Sequence, residues 1–386
     1  MKHLKLFSTT TRHETQSSNS VREYSSDQIP VDLHMEIFSL VPAKSIARFL
    51  CVSKLWASIL RSHDFTELFL TKSLTRPRLF FTVKSKGKLL FCSSPQPHNP
   101  DDNSSLVATS YHPTLIPDYH PTYICKPVCG LVLLQGCGTR KERLICNPAK
   151  GKVRTLPSIP RNGINSPKGI YLGYDPLGKQ FKVLCLGMRT YRRNKTHWTL
   201  TLESGKLLWR ELEPKFSFKA NGDICGDICI NGVLYFEGTL EGSFVIVCFD
   251  VRSEKFSFIN KDEDMLPKAN DHHTSLSTLF NYKDKLGLHR RFKQNLVLWV
   301  VEDSINHKWS KHSYVFSLLG YNIVRDNMFV GMTRTGEVVY SMGTCVFFYN
   351  IERKTFKRVV IQGLEGLEHP IICRTFVDYV ENMKFM

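Results

Sequence analysis

The sequence predicts an α+β protein of two parts, a small all-α unit followed by a large, antiparallel, propeller-like all-β domain. The chain has 386 residues and 42% hydrophobic composition, so it exceeds one ordinary domain and can bury a sizeable core. Apolar residues fall at helical spacing over residues 27–74, whereas from residue 77 to 386 short β-rich runs alternate with Gly, Pro, Asn and Asp. Residues 1–26 are rich in Ser, Thr and charge, which predicts a disordered leader.

Neither the leader nor the rest of the chain carries a signal for export or membrane insertion. After Leu4, Leu6 and Phe7 the leader has no apolar stripe, so we expect neither a transit peptide nor a secretory signal. The longest apolar stretches are strand-sized, which predicts no transmembrane span. The 12 Cys are widely spread, as is typical of reduced and mostly buried thiols. We therefore expect a soluble intracellular protein of the nucleus or cytoplasm, without a membrane partner.

The helical unit is predicted to contain three to four short helices. Proline is tolerated in the first turn of a helix, so Pro30 marks a start, and Leu33 and Ile37 then share one face. Pro42 breaks this helix, and Ser53 is a suitable N-cap for a third one. A unit of fewer than 50 residues cannot enclose a large core alone. Some of its apolar residues must be covered either by a partner or by the following domain.

Three ordered segments of this unit resemble the F-box: IPVDLHMEI at Ile29–Ile37, PAKSI at Pro42–Ile46 and VSKLW at Val52–Trp56. In that family the helices bind the Skp-type adaptor of a cullin-RING ubiquitin ligase. The chain departs from the commonest pattern with Val41 before the proline and with Leu50 where a basic residue often stands, but both keep the surface apolar. The resemblance implies adaptor contacts, some of them shared with the F-box core, at Ile29, Pro30, Leu33, Ile37, Val41, Pro42, Ile46, Val52 and Trp56.

The β domain repeats two sequence phrases. A Gly-containing apolar run recurs at irregular intervals close to the span of a propeller blade, at residues 129–134, 170–174, 231–236, 285–288 and 335–340. A second phrase places Asn147, Asp250 and Asn350 where a strand ends in a turn. We predict that each of these three side chains bonds the turn backbone and has no chemical role.

These phrases resemble the F-box-associated domain of plant F-box proteins, which is similar to kelch-type propellers. The likeness is strongest over residues 173–184, 230–235 and 298–311. It favours about six blades, with Arg78–Phe91 and Ile371–Tyr379 sharing one blade to close the ring and protect its edges.

No motif predicts catalytic residues, a cofactor or a metal. Cys125 and Cys129, like Cys225 and Cys229, have a spacing that zinc tolerates, but strand-like flanks and the distance between the pairs favour core thiols. The pair at 272–273, His-His, has no partner at fixed spacing. No phosphate-binding loop and no nucleophile elbow occur. We expect a non-catalytic protein.

The formal net charge is +17, and three basic clusters fall at predicted turns, at residues 189–195, 289–293 and 353–358. Solvated hairpin loops are the simplest interpretation. An electropositive face could also attract an acidic partner. Candidate contacts for such a partner are Arg189, Arg192, Arg193, Arg290 and Arg291.

The F-box resemblance implies a substrate-recognition subunit of a Skp-cullin-F-box ubiquitin ligase. The helical unit would bind the Skp-type adaptor, and through it cullin and RING subunits, while the β domain would bind a target protein that the sequence does not identify. Two alternatives of other classes stay open. We do not expect a nucleic-acid partner, although the aromatics interleaved in the basic clusters could stack on bases. A polar central pocket would favour an enzyme or a binder of a small ligand or glycan.

Overall fold

The described chain opens with four short helices, and local capping explains where they start. They are α1 (Val31–Ser39), α2 (Ala43–Phe49), α3 (Lys54–Arg61) and α4 (His63–Leu74). Pro30 and Pro42 precede α1 and α2, where a missing N–H takes nothing from the helix. The predicted cap of α3 is confirmed, because Ser53 Oγ accepts a hydrogen bond from Trp56 N at 3.1 Å. Ser62 caps α4 in the same way.

The computed structural model describes residues 29–85, 88–98, 100, 104–111, 121–136, 142–160, 169–187, 197–202, 205–213, 216–220, 226–266, 277–291, 295–364, 367 and 372–384. The predicted leader lies outside these residues. None of the helices within them is long and apolar enough to cross a membrane.

Beyond α4, the described residues form six sheets, the blades of a propeller, each of four or five strands. Blade 1 contains β1 (Arg78–Ser85), β2 (Lys88–Pro95), β4 (Thr109–Ser110) and β26 (Ile372–Tyr379). Blade 2 contains β5 (Pro121–Ile124), β6 (Val132–Gly136), β7 (Arg143–Asn147) and β8 (Lys152–Thr155). Blade 3 contains β9 (Gly169–Asp175), β10 (Gln180–Leu186), β11 (His197–Leu202) and β12 (Arg210–Leu212).

The remaining three blades follow in chain order. Blade 4 contains β13 (Phe218–Ala220), β14 (Ile228–Ile230), β15 (Val233–Leu240), β16 (Ser243–Asp250) and β17 (Phe256–Asn260). Blade 5 contains β18 (Thr278–Tyr282), β19 (Lys285–Arg291), β20 (Asn295–Asp303) and β21 (Lys308–Val315). Blade 6 contains β3 (Ser104–Val107), β22 (Met328–Met332), β23 (Glu337–Met342), β24 (Cys345–Asn350) and β25 (Thr355–Gln362). A fifth helix, α5 (Leu318–Asp326), connects blades 5 and 6.

Strands from both ends of the domain close the ring. The last strand, β26, pairs antiparallel with β1 in blade 1, with Arg78 opposite Tyr379 and Lys84 opposite Ile372. In the other direction β3 pairs parallel with β25 at the edge of blade 6. The predicted sharing of one blade by the first and last strands is therefore confirmed, as is the count of six. Closure of this kind pairs the strands from both ends of the domain within the ring.

The strand register defines two faces of the propeller. β22 and β26 both end close to α4, where Arg334, just after β22, donates from Nη1 to Leu74 O at 2.9 Å. We call this face proximal. The opposite, distal face contains the starts of β22 and β26, because Met328 lies opposite Ser341 and Ile372 opposite Lys84.

The apolar core of the described propeller lies between blades. Six buried clusters join blades 1 and 2, 2 and 3, 3 and 4, 4 and 5, 5 and 6, and 6 and 1. Since each blade contributes to two clusters, the sheets bury both faces, as expected of a propeller.

The three predicted turn residues bond their turns. Asn147, Asp250 and Asn350 each accept, through a side-chain oxygen, a hydrogen bond from the backbone N–H three residues later, at 3.3, 2.6 and 2.9 Å. The prediction of turn formation is confirmed. Asn147 has a further contact that the sequence did not indicate, since its Nδ2 donates to Asn382 O at 2.9 Å.

Candidate functional site

The helical unit shares its core with the propeller. Ile46 of α2 and Phe65 and Phe69 of α4 are fully buried in one cluster with Phe80 of blade 1 and Leu144 of blade 2. No separate cluster for the helices occurs among the described residues. The covering surface that so small a unit requires is therefore supplied in part by the propeller.

The C-terminal tail, residues 380–384, binds the helices to the propeller by polar contacts. Glu381 Oε2 accepts from Ala43 N, in the first turn of α2, at 3.0 Å, and Glu381 Oε1 accepts from Tyr111 OH at 2.8 Å. Lys384 Nζ lies 3.2 Å and Lys179 Nζ 2.8 Å from carboxylate oxygens of Glu67 on α4. Burial alone would raise the pKa of Glu67, but the hydrogen bonds from the two lysines outweigh it and lower that pKa.

Helix α1 is held from its C-terminal end. The guanidinium of Arg76 donates to the carbonyl oxygens of Ser39 and Leu40, which the helix leaves without intrahelical partners. Lys72 of α4 adds an ion pair with Glu36 at 3.0 Å. These contacts fix the direction in which α1 presents its outer face.

That outer face is apolar and exposed. Seven large apolar side chains on and beside α1 and α3 have between 47% and 60% of their surface accessible: Ile29, Val31, Leu33, Ile37, Leu40, Val52 and Leu55. We call this set the apolar face. Beneath it Trp56 packs edge-on against Phe38 and Phe49, with ring centroids 4.7 and 5.4 Å apart. These three rings form a packed aromatic cluster within the helical unit.

Two family models match the chain. A model described as F-box domain matches residues 26–68, and one described as F-box associated beta propeller domain matches residues 78–380. The chain belongs to the F-box proteins with an F-box-associated propeller. F-box protein DOR of Arabidopsis thaliana is 40% identical over 95% of this chain and 96% of its own length. F-box protein At5g65850 of the same plant is 39% identical over 98% of this chain and 96% of its own.

Similarity to solved structures is distant. Dihydro-heme d1 dehydrogenase NirN in complex with DHE aligns over 84% of this chain and 90% of its own, with 11% identity and a TM-score of 0.37. A likeness at that level carries no argument about this F-box protein.

The predicted F-box residues fall into two groups. Ile29, Pro30, Leu33, Ile37, Pro42 and Val52 are exposed, so their adaptor contacts stay a prediction. Val41 and Trp56 are half-buried against the shared core, and Ile46 is fully buried within it. Ile46 therefore belongs to the core part of the predicted set, since a side chain without accessible surface cannot touch a partner.

Sequence reasoning missed three members of the apolar face. Val31, Leu40 and Leu55 are exposed to a similar extent as the predicted residues. Val31 and Leu55 lie inside the segments that resemble the F-box, so the sequence did contain a signal for them. For Leu40 the signal was weaker, because its exposure follows from the helix ending at Ser39.

A central channel of about 410 Å³ runs between the inner strands of the blades. Asp227, just before β14, lines it with 2% of its surface exposed, and its Oδ1 has no hydrogen-bond partner. Burial raises the pKa of Asp227 to about 6, against the opposing charge of Lys126. Near the proximal mouth Asp378 Oδ1 accepts from Gln96 Nε2 at 2.8 Å.

Two of the cysteines considered for zinc meet at this channel. Cys129 and Cys229 both line it, and burial raises their pKa values to about 12 and about 11. In the absence of a metal, burial therefore favours the protonated form of both thiols. Cys125 is buried with its thiol directed to Ile170 O, and Cys225 lies outside the described residues. Among the described residues no group of three metal-ligating side chains occurs.

The basic clusters receive one correction. Arg290 was predicted to contact an acidic partner, but it is 3% exposed and its guanidinium donates to Leu266 O inside the molecule. Strand β19 carries it inward, and a buried guanidinium needs such an acceptor. Arg189, Arg192, Arg193, the side chain of Arg291 and the histidine pair at 272–273 lie outside what the structure describes.

Proposed function

We propose that this F-box protein is the substrate-recognition subunit of a Skp-cullin-F-box ubiquitin ligase. Its apolar face would bind the Skp-type adaptor, and through it the cullin and RING subunits, while the propeller binds a target protein. The observation that carries the proposal is the concentration of seven exposed large apolar side chains in residues 29–55. So many exposed large apolar side chains in so short a segment favour a protein interface.

The contacts between the helices and the propeller support a fixed position of the apolar face relative to the propeller. Because the helices share a core with blades 1 and 2 and are bonded to residues 380–384, the propeller would follow the adaptor as one body. A target held on the propeller is then kept at a fixed reach from a ligase-bound conjugating enzyme. This protein contributes to ubiquitination by positioning and forms no bond with the target itself. Such a role places it in the nucleus or the cytoplasm.

Point substitutions test the proposal better than removal of the helices. Deleting residues 29–73 would expose Phe80 and Leu144, which the helices help to bury, so a loss of binding could reflect unfolding of the propeller. The test pair is Leu33→Asp with Ile37→Asp. Its matched control is Leu177→Asp with Ile305→Asp, since these residues are also exposed but lie on propeller turns.

The measurement is binding of the full chain to purified Skp-type adaptor by calorimetry. We expect the double substitution on α1 to weaken binding by at least about tenfold, because a few apolar anchors carry most of an interface energy. The control pair should bind like the native chain. Thermal unfolding of all three proteins checks that the fold is intact. Equal adaptor affinity of folded α1 variant and native chain would refute the proposal.

A second candidate function is supported by the channel. Its volume lies in the range of small-ligand sites, and Asp227 offers an unpartnered carboxylate oxygen inside it. Native mass spectrometry of the intact protein should then reveal a bound small molecule that the substitution Asp227→Asn removes. If the native protein had only the mass of its polypeptide, with no bound molecule, this candidate function would be eliminated.

Binding of nucleic acid has less support, since Arg290 is committed to an internal contact. This alternative is tested by measuring retention of the protein on immobilised nucleic acid as a function of salt concentration. Phosphate contacts would give a steep loss of binding with rising salt. Negligible binding at low salt would remove this alternative.

A further inference from the structure

The propeller exposes its apolar side chains unevenly between its two faces. Outside the helices, eleven large apolar residues of the described chain are exposed. Three of them, Leu177, Leu208 and Ile305, lie at turns or strand starts on the proximal side. The other eight lie at the distal ends of strands or beside them: Val107, Phe216, Phe244, Val315, Leu318, Met328, Met342 and Ile372.

Five of the eight lie on the neighbouring blades 5, 6 and 1, and we call them the distal sector: Val315, Leu318, Met328, Met342 and Ile372. Val315 ends β21 at the outer side of blade 5, and α5 then leads to Met328 at the start of the inner strand of blade 6. Met342 is one residue beyond Ser341, which lies opposite Met328. Ile372 starts the inner strand of blade 1, the next blade in the ring.

Cationic side chains accompany the distal sector. Lys84 lies opposite Ile372, and Arg374 is two residues further along β26 on the same side of the sheet. Burial lowers the pKa of Lys84, and the positive charge of Arg374 lowers it further, so the two cations lie close together. Arg358 donates to Cys345 Sγ at 3.3 Å, beside Met342, and Lys88 is exposed at the start of β2.

The charge of the distal face changes across the ring. Near the distal sector the one acid of the described residues is Asp326, and Arg325 on the same helix neutralises it at 2.9 Å. Blades 4 and 5 present acids at their distal ends instead, including Glu241 and Glu263, and Asp264 pairs with Lys311 at 2.5 Å. Among the described residues of this face, the distal sector therefore combines exposed apolar side chains with an excess of cations.

We infer that the distal sector binds the target through a polypeptide segment that combines apolar with acidic side chains. This rests on the proposed function, in which the propeller receives a target. The apolar residues would supply the buried anchors, and Lys84, Lys88, Arg358 and Arg374 would pair with carboxylates at the rim. A basic segment would meet like charges there, and a purely acidic one would leave the apolar anchors exposed to water.

The location also fits the ligase geometry. The F-box contacts the proximal face through α4, and the distal sector lies on the opposite face, so adaptor and target would not compete for space. The target would stand beyond the propeller when viewed from the adaptor, a full blade height from the F-box.

The test selects peptides from a displayed random library on the purified full-length protein. Enriched peptides should combine apolar residues with an excess of Asp and Glu. Their affinities are then measured by fluorescence anisotropy for the native protein and for Leu318→Glu with Met328→Glu. We expect this pair to lose at least about tenfold in affinity. The matched proximal pair, Leu177→Glu with Ile305→Glu, should lose none, since Leu177 is as exposed as Leu318 at 75% against 76%.

Charge is tested separately with Lys88→Glu and Arg374→Glu. This pair should weaken the same peptides and reduce the dependence of affinity on salt, because it reverses the charge at the rim. Peptides without an acidic bias, or equal affinity for the distal and proximal variants, would overturn the inference. So would self-association in sedimentation that Leu318→Glu with Met328→Glu abolishes, since the sector would then bind a second copy.

Failure of this inference and failure of the proposed function give different results. The distal variants should retain the adaptor with native affinity, whereas Leu33→Asp with Ile37→Asp should lose it and still bind the selected peptides. Loss of adaptor binding by the distal variants would show a folding defect. Absence of adaptor binding by the native chain would refute the ligase proposal and leave the peptide result to be judged by itself.

Discussion

The F-box and the propeller differ in how far they bury their large apolar side chains. In the described chain, seven exposed large apolar residues fall within residues 29–55, whereas the remaining residues to 384 expose eleven. The propeller has six clusters between its blades in which to bury such residues, but the F-box has only the cluster it shares with blades 1 and 2. A unit that depends on a neighbour for one face has another face available for a partner.

The largest expected effect tests the shared core. Phe69→Ala removes a fully buried ring from α4 and should lower the free energy of unfolding by about 3–5 kcal/mol. Leu33→Ala on the apolar face should change it by less than about 0.5 kcal/mol. Urea denaturation followed by circular dichroism measures both. If Phe69→Ala melted the helices at low urea while the propeller kept its native midpoint, the two parts would be independent, and the comparison would fail.

The next effect concerns a polar group inside the propeller. Burial raises the pKa of Asp227 to about 6, so its ionised form is disfavoured in the folded protein. Stability from this group is complete below its unfolded pKa near 4 and is lost as the pH rises through about 6. Asp227→Asn should therefore stabilise the protein by about 2–3 kcal/mol at pH 8 and have little effect at pH 4.

Unfolding midpoints in urea across this pH range provide the measurement for Asp227. Asp284→Asn, an exposed substitution at the proximal mouth of the same channel, is the control and should shift the midpoint at no pH. A pH profile of Asp227→Asn parallel to that of the native chain would show that the carboxylate finds a partner in the channel.

A smaller effect is expected where the tail joins the F-box. Glu381→Ala would leave Ala43 N without its acceptor and remove one of the two partners of Tyr111 OH, the other being Ser93 Oγ, and should cost about 1–3 kcal/mol. Hydrogen exchange should become faster in α2 than in the blades, because the tail holds that helix. Glu352→Ala, at an exposed turn of blade 6, serves as the control. Unchanged exchange in α2 would assign its position to apolar packing alone.

The smallest effect is expected at Glu67, the ionic contact between α4 and the propeller. Its lowered pKa means that it stabilises the folded state above its ordinary pKa and that this contribution is lost as the pH falls below that value. Glu67→Gln should cost about 1 kcal/mol or less at neutral pH. Thermal unfolding at pH 7 and pH 3 should show the native chain and the variant converging at the lower pH; a constant difference would contradict the ionic explanation.

Most of the fold was readable from the sequence because it depends on local signals. Pro30 and Ser53 mark helix starts, and the repeated turn residues mark blades, since both act through neighbouring backbone groups. The sharing of blade 1 by the two ends of the domain followed from the need to protect sheet edges. Helix caps and turn residues act on neighbouring backbone groups, so they can be recognised without knowing the tertiary structure.

The site was less predictable because it depends on long-range packing. Periodicity could not separate Ile46, which faces the propeller, from Ile37, which faces solvent. Arg290 belongs to a basic run that looks solvated, yet its strand carries it to an internal carbonyl. The contact of Glu381 with Ala43 spans 338 residues and has no local signature. The distal sector likewise assembles residues from blades 5, 6 and 1.

Closure by the last strand also determines when in its synthesis this protein reaches its native fold. The F-box is made first, but Phe80 of blade 1 stacks on Tyr379 at 4.4 Å, and the helices need Glu381 and Met383 to complete their packing. A chain released from the ribosome before residue 372 would carry a whole F-box sequence on an open, aggregation-prone ring. Only a chain translated through Met383 can hold the F-box helices in the position seen here.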